Sequence, residues 1–236
     1  YAITTIFLGM KPLEHEFKVM GLAPYAKKHN IDKIYQKLKG LVWITDSLNF
    51  ESKFNMPFFD KFLEEEIKFV RFDVLAGAVQ RLVEELTCEW VMKAINKTNI
   101  KNIALSGGVF MNVKANQKIA ELNEVENIFI MPSCGDESNA IGVCLYEYKI
   151  YCEKNKLKFN PKPIKDLYLG PEYDENYIET LIKNKKLNEK YIIKKFDNIN
   201  YEIAQLLANG KIIARCTGRS EWGARSLGNR SILANP

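Results

Sequence analysis

An α/β fold is what this sequence predicts, and three observations carry the prediction. From Asn99 onward short apolar runs alternate with helical patterns, the presumed strand ends run into loops of small residues, and each such loop opens a helix. The composition is that of a folded chain. Of 236 residues, 47% are hydrophobic, 27% charged and 11% aromatic, far from disordered or collagen-like sequence. No fixed-period repeat is visible, and the length suits one or two domains.

In chain order, residues 2–8 read as a strand, because Ile3, Thr4, Thr5 and Ile6 are β-branched. A long polar loop is expected next, with Pro12, Gly21, Pro24 and the charged cluster Glu14-His15-Glu16-Phe17-Lys18. Helical patterns follow: Phe58, Phe59, Phe62, Leu63 and Ile67, then Leu75, Ala78, Val79, Leu82, Val83, Leu86, Trp90, Val91, Ala94 and Ile95. Ile103-Ala104-Leu105 reads as a strand, 112–122 as a helix, Ile128-Phe129-Ile130 as a strand and 136–151 as a helix. Five lysines and two prolines in 154–165 mark a linker, which divides the chain into domains 1–153 and 166–236. The second holds expected strands at 167–169, 191–195 and 212–214, with helices from near Asp174 and over 199–208.

The net charge of +5, from 34 Lys+Arg against 29 Asp+Glu, is mild and spread along the chain. It does not argue for a nucleic-acid partner and suits an anionic small molecule equally well. The longest apolar run, near residues 2–10, is well short of the roughly 20 residues that span a bilayer, so no membrane association is expected. Five cysteines with no Cys-x-x-Cys pair indicate neither a disulfide framework nor a zinc cage, and a cytoplasmic setting follows. His15 and His29 lie in no metal-binding spacing. The chain starts inside a strand-like run and stops behind a Gly- and Arg-rich segment. It therefore reads as an internal piece of a longer protein, with little or no turnover of its own.

Three segments carry chemistry. Ser106-Gly107-Gly108-Val109-Phe110-Met111-Asn112 lies between strand and helix, where glycines let a ligand approach the backbone and a helix start favours an anion. It is neither a Walker A loop nor a GxGxxG, and Asn112 also suits an N-cap. Gly135-Asp136-Glu137 places carboxylates at a helix start, where they could hold a phosphate-bridging metal or simply complement the helix dipole. The stretch 218–231 sets Arg219, Arg225 and Arg230 between regularly spaced glycines. Guanidinium forks suit phosphate or carboxylate oxygens, while a solvated basic loop is the plainer alternative.

These residues together resemble a known family. Lys18-Val19-Met20-Gly21-Leu22-Ala23-Pro24-Tyr25, Ser106-Gly107-Gly108-Val109 with Asn112, Gly135-Asp136 with Ala140-Ile141-Gly142, Tyr168-Leu169-Gly170-Pro171, and Gly218-Arg219 through Leu227-Gly228-Asn229-Arg230-Ser231 occur in the order seen in NodU/CmcH-type O-carbamoyltransferases. The resemblance implies the second half of an actin/Hsp70-like (ASKHA) ATPase domain followed by the beginning of an α/β YrdC-like domain. It implies ATP and carbamoyl phosphate as substrates, converted to carbamoyl adenylate, and transfer of the carbamoyl group to a hydroxyl of a small molecule such as a sugar.

By the same resemblance Arg219, Arg225 and Arg230, oriented by Glu221 and joined by Ser231, would meet carbamoyl phosphate or nucleotide phosphates. Lys18, Gly107, Gly108 and Asn112 would serve the nucleotide pocket. Asp136 would be one ligand of a divalent metal, iron or magnesium, whose partner ligands lie outside this chain. Ala224 stands where the family usually has proline. The alternatives are an ATPase or kinase of the same broad fold, or a noncatalytic nucleotide- or RNA-binding module.

Overall fold

The computed structural model describes residues 1–235; Pro236, which closes the second expected domain, lies outside the described residues. The chain packs as two compact units, Tyr1–Cys134 and Gly135–Pro236. That division falls ahead of the lysine-rich stretch where the sequence suggested a boundary. Residues 157–166 of that stretch carry no regular secondary structure.

The first unit opens with α1 (Ala2–Phe7), α2 (Glu16–Leu22) and α3 (Lys28–Leu38). A two-stranded antiparallel hairpin follows, β1 (Val42–Ile44) with β2 (Phe50–Ser52), and then α4 (Met56–Glu66) and α5 (Phe72–Thr98). It closes with β3 (Asn102–Leu105), α6 (Val113–Ala120) and β4 (Asn127–Ile130). β3 and β4 run parallel, with Asn102 opposite Asn127 and Leu105 opposite Ile130, and α6 is the crossover between them. This is the α/β alternation read from the sequence.

The 27-residue α5 organises this unit. Its first half, through Leu75, Ala78 and Val79, packs with Tyr35, Leu38, Leu63 and Ile67. Its second half, through Val91 and Ile95, packs with Leu105, Phe110 and Ile119. The helix ends at Asn99, whose φ of 57° is left-handed and whose N–H bonds Ile95 O, a conformation asparagine tolerates. Three donors on its outer face hold the hairpin: Lys93 Nζ to Ile44 O at 2.5 Å, Lys97 Nζ to Asp46 O at 3.2 Å and Trp90 Nε1 to Leu48 O at 3.1 Å.

Two expectations here are corrected. The expected strand over residues 2–8 is instead α1, Ala2–Phe7, capped by Leu8: Ile3 and Phe7, one helical turn apart, pack against the first cluster, and that tertiary contact overrides β-branched propensity. The expected loop before residue 28 contains α2, which buries Val19 and packs along α5.

The second unit comprises α7 (Asn139–Lys154), α8 (Glu175–Asn184), α9 (Ile199–Ala208) and the antiparallel pair β5 (Ile213–Cys216) and β6 (Arg230–Leu233). Asp174 and Asn198 cap α8 and α9, accepting from Tyr177 N at 2.7 Å and Tyr201 N at 3.1 Å. Residues 167–169 and 191–195 are not strands here: neither finds a partner ladder, which an apolar run alone does not supply. Among the described residues of this unit, Cys152 is the one buried member of the apolar core.

Candidate functional site

The Gly107-Gly108 loop leaves the carboxyl end of β3, the end at which α/β sheets bind ligands. Parallel pairing is prolonged past the strand ends by Met131 N to Leu105 O at 2.9 Å and Gly107 N to Cys134 O at 3.0 Å. Gly107 has a φ of +109°, which a side chain would strain, and a Cβ built on either glycine meets no atom within 4 Å. Both glycines are exposed. The chain then makes a 3-10 turn over Gly108–Met111 and enters α6.

Asn112 caps α6, its Oδ1 accepting from Ala115 N at 3.1 Å. The same side chain forms a two-way amide pair with Gln80 of α5: Gln80 Nε2 donates to Asn112 Oδ1, and Asn112 Nδ2 to Gln80 Oε1, both at 3.0 Å. Gln80 Nε2 also donates to Glu84 Oε1 at 2.7 Å, and the Tyr1 hydroxyl donates to Gln80 Oε1. Asn112 and Gln80 are 8% and 6% exposed, so the pair is sequestered. The family resemblance implies Asn112 in the nucleotide pocket; in the structure its side chain caps α6 and ties it to α5. Gln80 was missed because it falls inside an apolar helical pattern.

Alongside, a cleft of about 710 Å³ runs over α5, lined by residues of α2, α3 and α6 as well. Gln80, Arg81, Glu84 and Glu85 of α5 face it, with Asp32 of α3 and Lys114 and Lys118 of α6. Arg81 bridges Asp32 at 2.6 Å and Glu85 at 2.8 Å, and its guanidinium lies 3.9 Å from the Tyr35 ring centroid. The Tyr35 hydroxyl donates to Glu85. Burial, and then the Glu85 bond, push the Tyr35 phenol up to about 12. Desolvation pushes the Glu85 carboxyl up, but hydrogen bonds from Tyr35 and Arg81 outweigh it and hold the group below the usual carboxylate range.

In the second unit the Gly- and Arg-rich loop is tied to the segment carrying Tyr168 and Gly170. Gly170 N bonds Ser220 O at 3.0 Å, Ser220 N bonds Pro171 O at 3.0 Å and Trp222 N bonds Leu167 O at 2.7 Å. Gly170 is required there, since a Cβ would lie 2.6 Å from Ser220 Cβ and 3.1 Å from its carbonyl oxygen. The Tyr168 hydroxyl donates to Leu227 O at 3.1 Å.

Arg219 donates through Nε to Gly170 O at 3.1 Å and through Nη2 to Leu169 O at 3.0 Å. Arg230 donates to Thr217 O at 2.5 Å and Gly218 O at 3.0 Å. In each of these bonds the acceptor is a neutral backbone carbonyl oxygen. Ser231 is buried, its Oγ accepting from Gly228 N at 2.9 Å.

The Glu221 carboxylate accepts from backbone N–H groups: Leu227 at 2.8 Å, Asn229 at 2.7 Å and Arg230 at 3.1 and 3.0 Å. Desolvation raises its pKa, but these three amides outweigh that and set it below the usual range. The loop thus folds around an internal anion. Arg225 is exposed on the same loop.

Two predicted residues remain, Lys18 in the first unit and Asp136 in the second. Lys18 is exposed on α2, its Nζ 5.9 Å from the Phe17 ring centroid. Asp136 is exposed in a 3-10 turn, Asp136–Ser138, ahead of α7. Among the described residues no group of three or more His, Cys, Asp or Glu is gathered that could hold a metal ion. The residues present do not fit a metal by themselves.

Comparison with known proteins gives two family matches, the carbamoyltransferase N-terminus over residues 1–145 and the carbamoyltransferase C-terminus over residues 204–236. Similar relatives include an uncharacterised protein of Synechocystis, 28% identical over all of this chain and 41% of its own length. An uncharacterised protein of Methanocaldococcus jannaschii is 31% identical, over all of this chain and 39% of its own. The nodulation protein NolO of Bradyrhizobium diazoefficiens is 29% identical, over all of this chain and 42% of its own. The chain spans about two fifths of the length of these relatives.

Proposed function

This chain belongs to the carbamoyltransferase family, and from that premise we propose that the full-length protein is an ATP-dependent O-carbamoyltransferase. Water cleaves carbamoyl phosphate to carbamate and phosphate, a carbamate oxygen attacks the α-phosphorus of ATP to give carbamoyl adenylate and pyrophosphate, and a hydroxyl of a small molecule such as a sugar takes the carbamoyl group with loss of its proton and release of AMP. The first unit is read as the second half of an actin/Hsp70-like ATPase domain and the end of the chain as the start of a YrdC-like domain. Asp136 is assigned to a divalent metal only together with ligands from outside this chain.

The observation that carries this reading, beside family membership, is the open Gly107-Gly108 loop at the carboxyl end of β3. With nothing within 4 Å of either missing Cβ, a nucleotide phosphate can reach backbone N–H groups there. In the second unit, Arg219 and Arg230 keep the Gly-rich loop in one shape and supply positive charge, and Glu221 fixes its backbone. Held donors of this kind favour an anion without reorganising as it reacts.

The test is to incubate the full-length protein with ATP, carbamoyl phosphate and magnesium and to look by mass spectrometry for carbamoyl adenylate and pyrophosphate. Their appearance supports the reading. ADP formation instead points to an ATPase or kinase, and no consumption together with salt-dependent RNA binding points to an RNA-binding module. Arg219→Ala and Arg225→Ala are each expected to lower adenylate formation at least tenfold, as the loss of a charged contact of about 1.5–3 kcal/mol implies. Unchanged formation in both variants would remove the arginine loop from the site.

A further inference from the structure

Every hydrogen-bonding group of the Gln80 side chain is used, and two of its four bonds go to Asn112 at the start of α6. Its Oε1 accepts from Asn112 Nδ2 and the Tyr1 hydroxyl, and its Nε2 donates to Asn112 Oδ1 and Glu84 Oε1. Asn112 completes the link, since the same Oδ1 caps α6 through Ala115 N. Its Nδ2 reaches Gln80 and, at 3.3 Å, the Tyr1 oxygen. Both amides are therefore saturated by protein, more than nine-tenths buried, and unable to turn toward a ligand without breaking paired groups.

We infer that Gln80 is a positioning residue for the Gly107-Gly108 loop. Through the two-way amide pair it locks Asn112, hence the first turn of α6, hence the loop that the 3-10 turn Gly108–Met111 connects to that helix. An N-cap alone needs only one acceptor oxygen, which serine supplies as well. The second half of the pair, Asn112 Nδ2 to Gln80 Oε1, adds nothing to the cap and fixes the amide plane of Asn112 relative to α5. Gln80 also borders the cleft over α5, so the same side chain connects that cleft to the loop. The consequence for ATP rests on the function proposed above; the consequence for loop order does not.

The test compares wild type, Gln80→Met, Asn112→Ser and the double variant in the full-length protein. Methionine keeps the volume of glutamine, and serine keeps the cap, so each variant severs the pair; Gln80→Met also removes the bonds to Glu84 and Tyr1, and Asn112→Ser the bond to Tyr1. Two quantities are read: the Kd for ATP well below the unfolding transition, and amide hydrogen exchange of residues 106–115 without nucleotide. Each single variant should weaken ATP binding about tenfold, the size of one buried hydrogen bond, with the double variant no weaker than either single. Loop exchange should rise in all three.

If the denaturation midpoint falls while loop exchange stays at the wild-type level, Gln80 is merely structural and the inference is overturned. It is equally overturned if the two single effects on ATP binding multiply, because the residues then do not act as a unit. If wild type binds no ATP but loop exchange still rises in the variants, the positioning role stands and the proposed function is what fails.

Discussion

Glu221 shows how one side chain can hold a loop by its backbone. Placed among three arginines in sequence, it spends its carboxylate on the N–H groups of Leu227, Asn229 and Arg230. Its pKa in the folded loop lies below the ordinary 4.5, so the order it contributes is fully present above that value. It is lost as pH falls through the lower, folded value. Exchange of these three amides, corrected for intrinsic pH effects, should therefore stay slow down to about pH 4.5 and rise below it. Glu221→Gln should give fast exchange at every pH; slow exchange in that variant would deny the carboxylate its role. Asn112→Ala removes both the cap and the amide pair, and a loss of about 1–3 kcal/mol in urea unfolding is expected. Asn112 was legible as a cap from its place between loop and helix. Its partner was not, because Gln80 lies 32 residues away and only the packing of α5 on α6 joins them.

Among the elements, α5 decides most. Gly77 lies in the interior of this helix, where alanine would raise helix propensity by about 1 kcal/mol. A Cβ there would lie 2.6 Å from Ile31 Cδ1 and 2.8 Å from Ile31 Cγ1 on α3, and such overpacking costs about 1–3 kcal/mol. Packing outweighs propensity, so Gly77→Ala should destabilise by up to about 2 kcal/mol. Ile31→Val, which deletes Cδ1, should recover part of that loss in a double-mutant cycle; additive losses would show that α3 and α5 do not meet there. The periodicity of α5 was plain in the sequence because its apolar residues recur with helical spacing over many turns. α1 was misread because six residues are too short for period to outvote β-branched composition. Gly170 illustrates the same limit: its motif was visible, but its task, admitting Ser220 at close range, depends on residues 50 positions further along the chain.

The whole molecule has an uneven distribution of stability. The first unit holds two apolar clusters, while the second, among its described residues, buries Cys152 alone from its apolar set. Amide exchange of this 236-residue chain should therefore show strong protection in α5 and much weaker protection in α8, α9 and the β5–β6 pair. Equal protection in both units would contradict the packing. No helix of the described residues is long and apolar enough to cross a membrane. Since the chain spans about two fifths of its relatives, weak or absent carbamoyl transfer is the expected result for the isolated chain, measured against the full-length protein.

By itself the sequence determined the α/β rhythm of the first unit, the long helix, the glycine loop between β3 and α6 and, through ordered motifs, the family. Those features are local: period, turn chemistry and motif order are written in neighbouring residues. Only the tertiary structure decided that Asn112 faces Gln80, that Glu221 grips the backbone of Leu227, Asn229 and Arg230, that Arg219 fastens its loop to the Gly170 carbonyl and that Arg230 bonds the Gly218 carbonyl. The physical reason is that buried hydrogen-bonding groups must find partners, and the partner is chosen by which segments the core brings together rather than by distance along the chain.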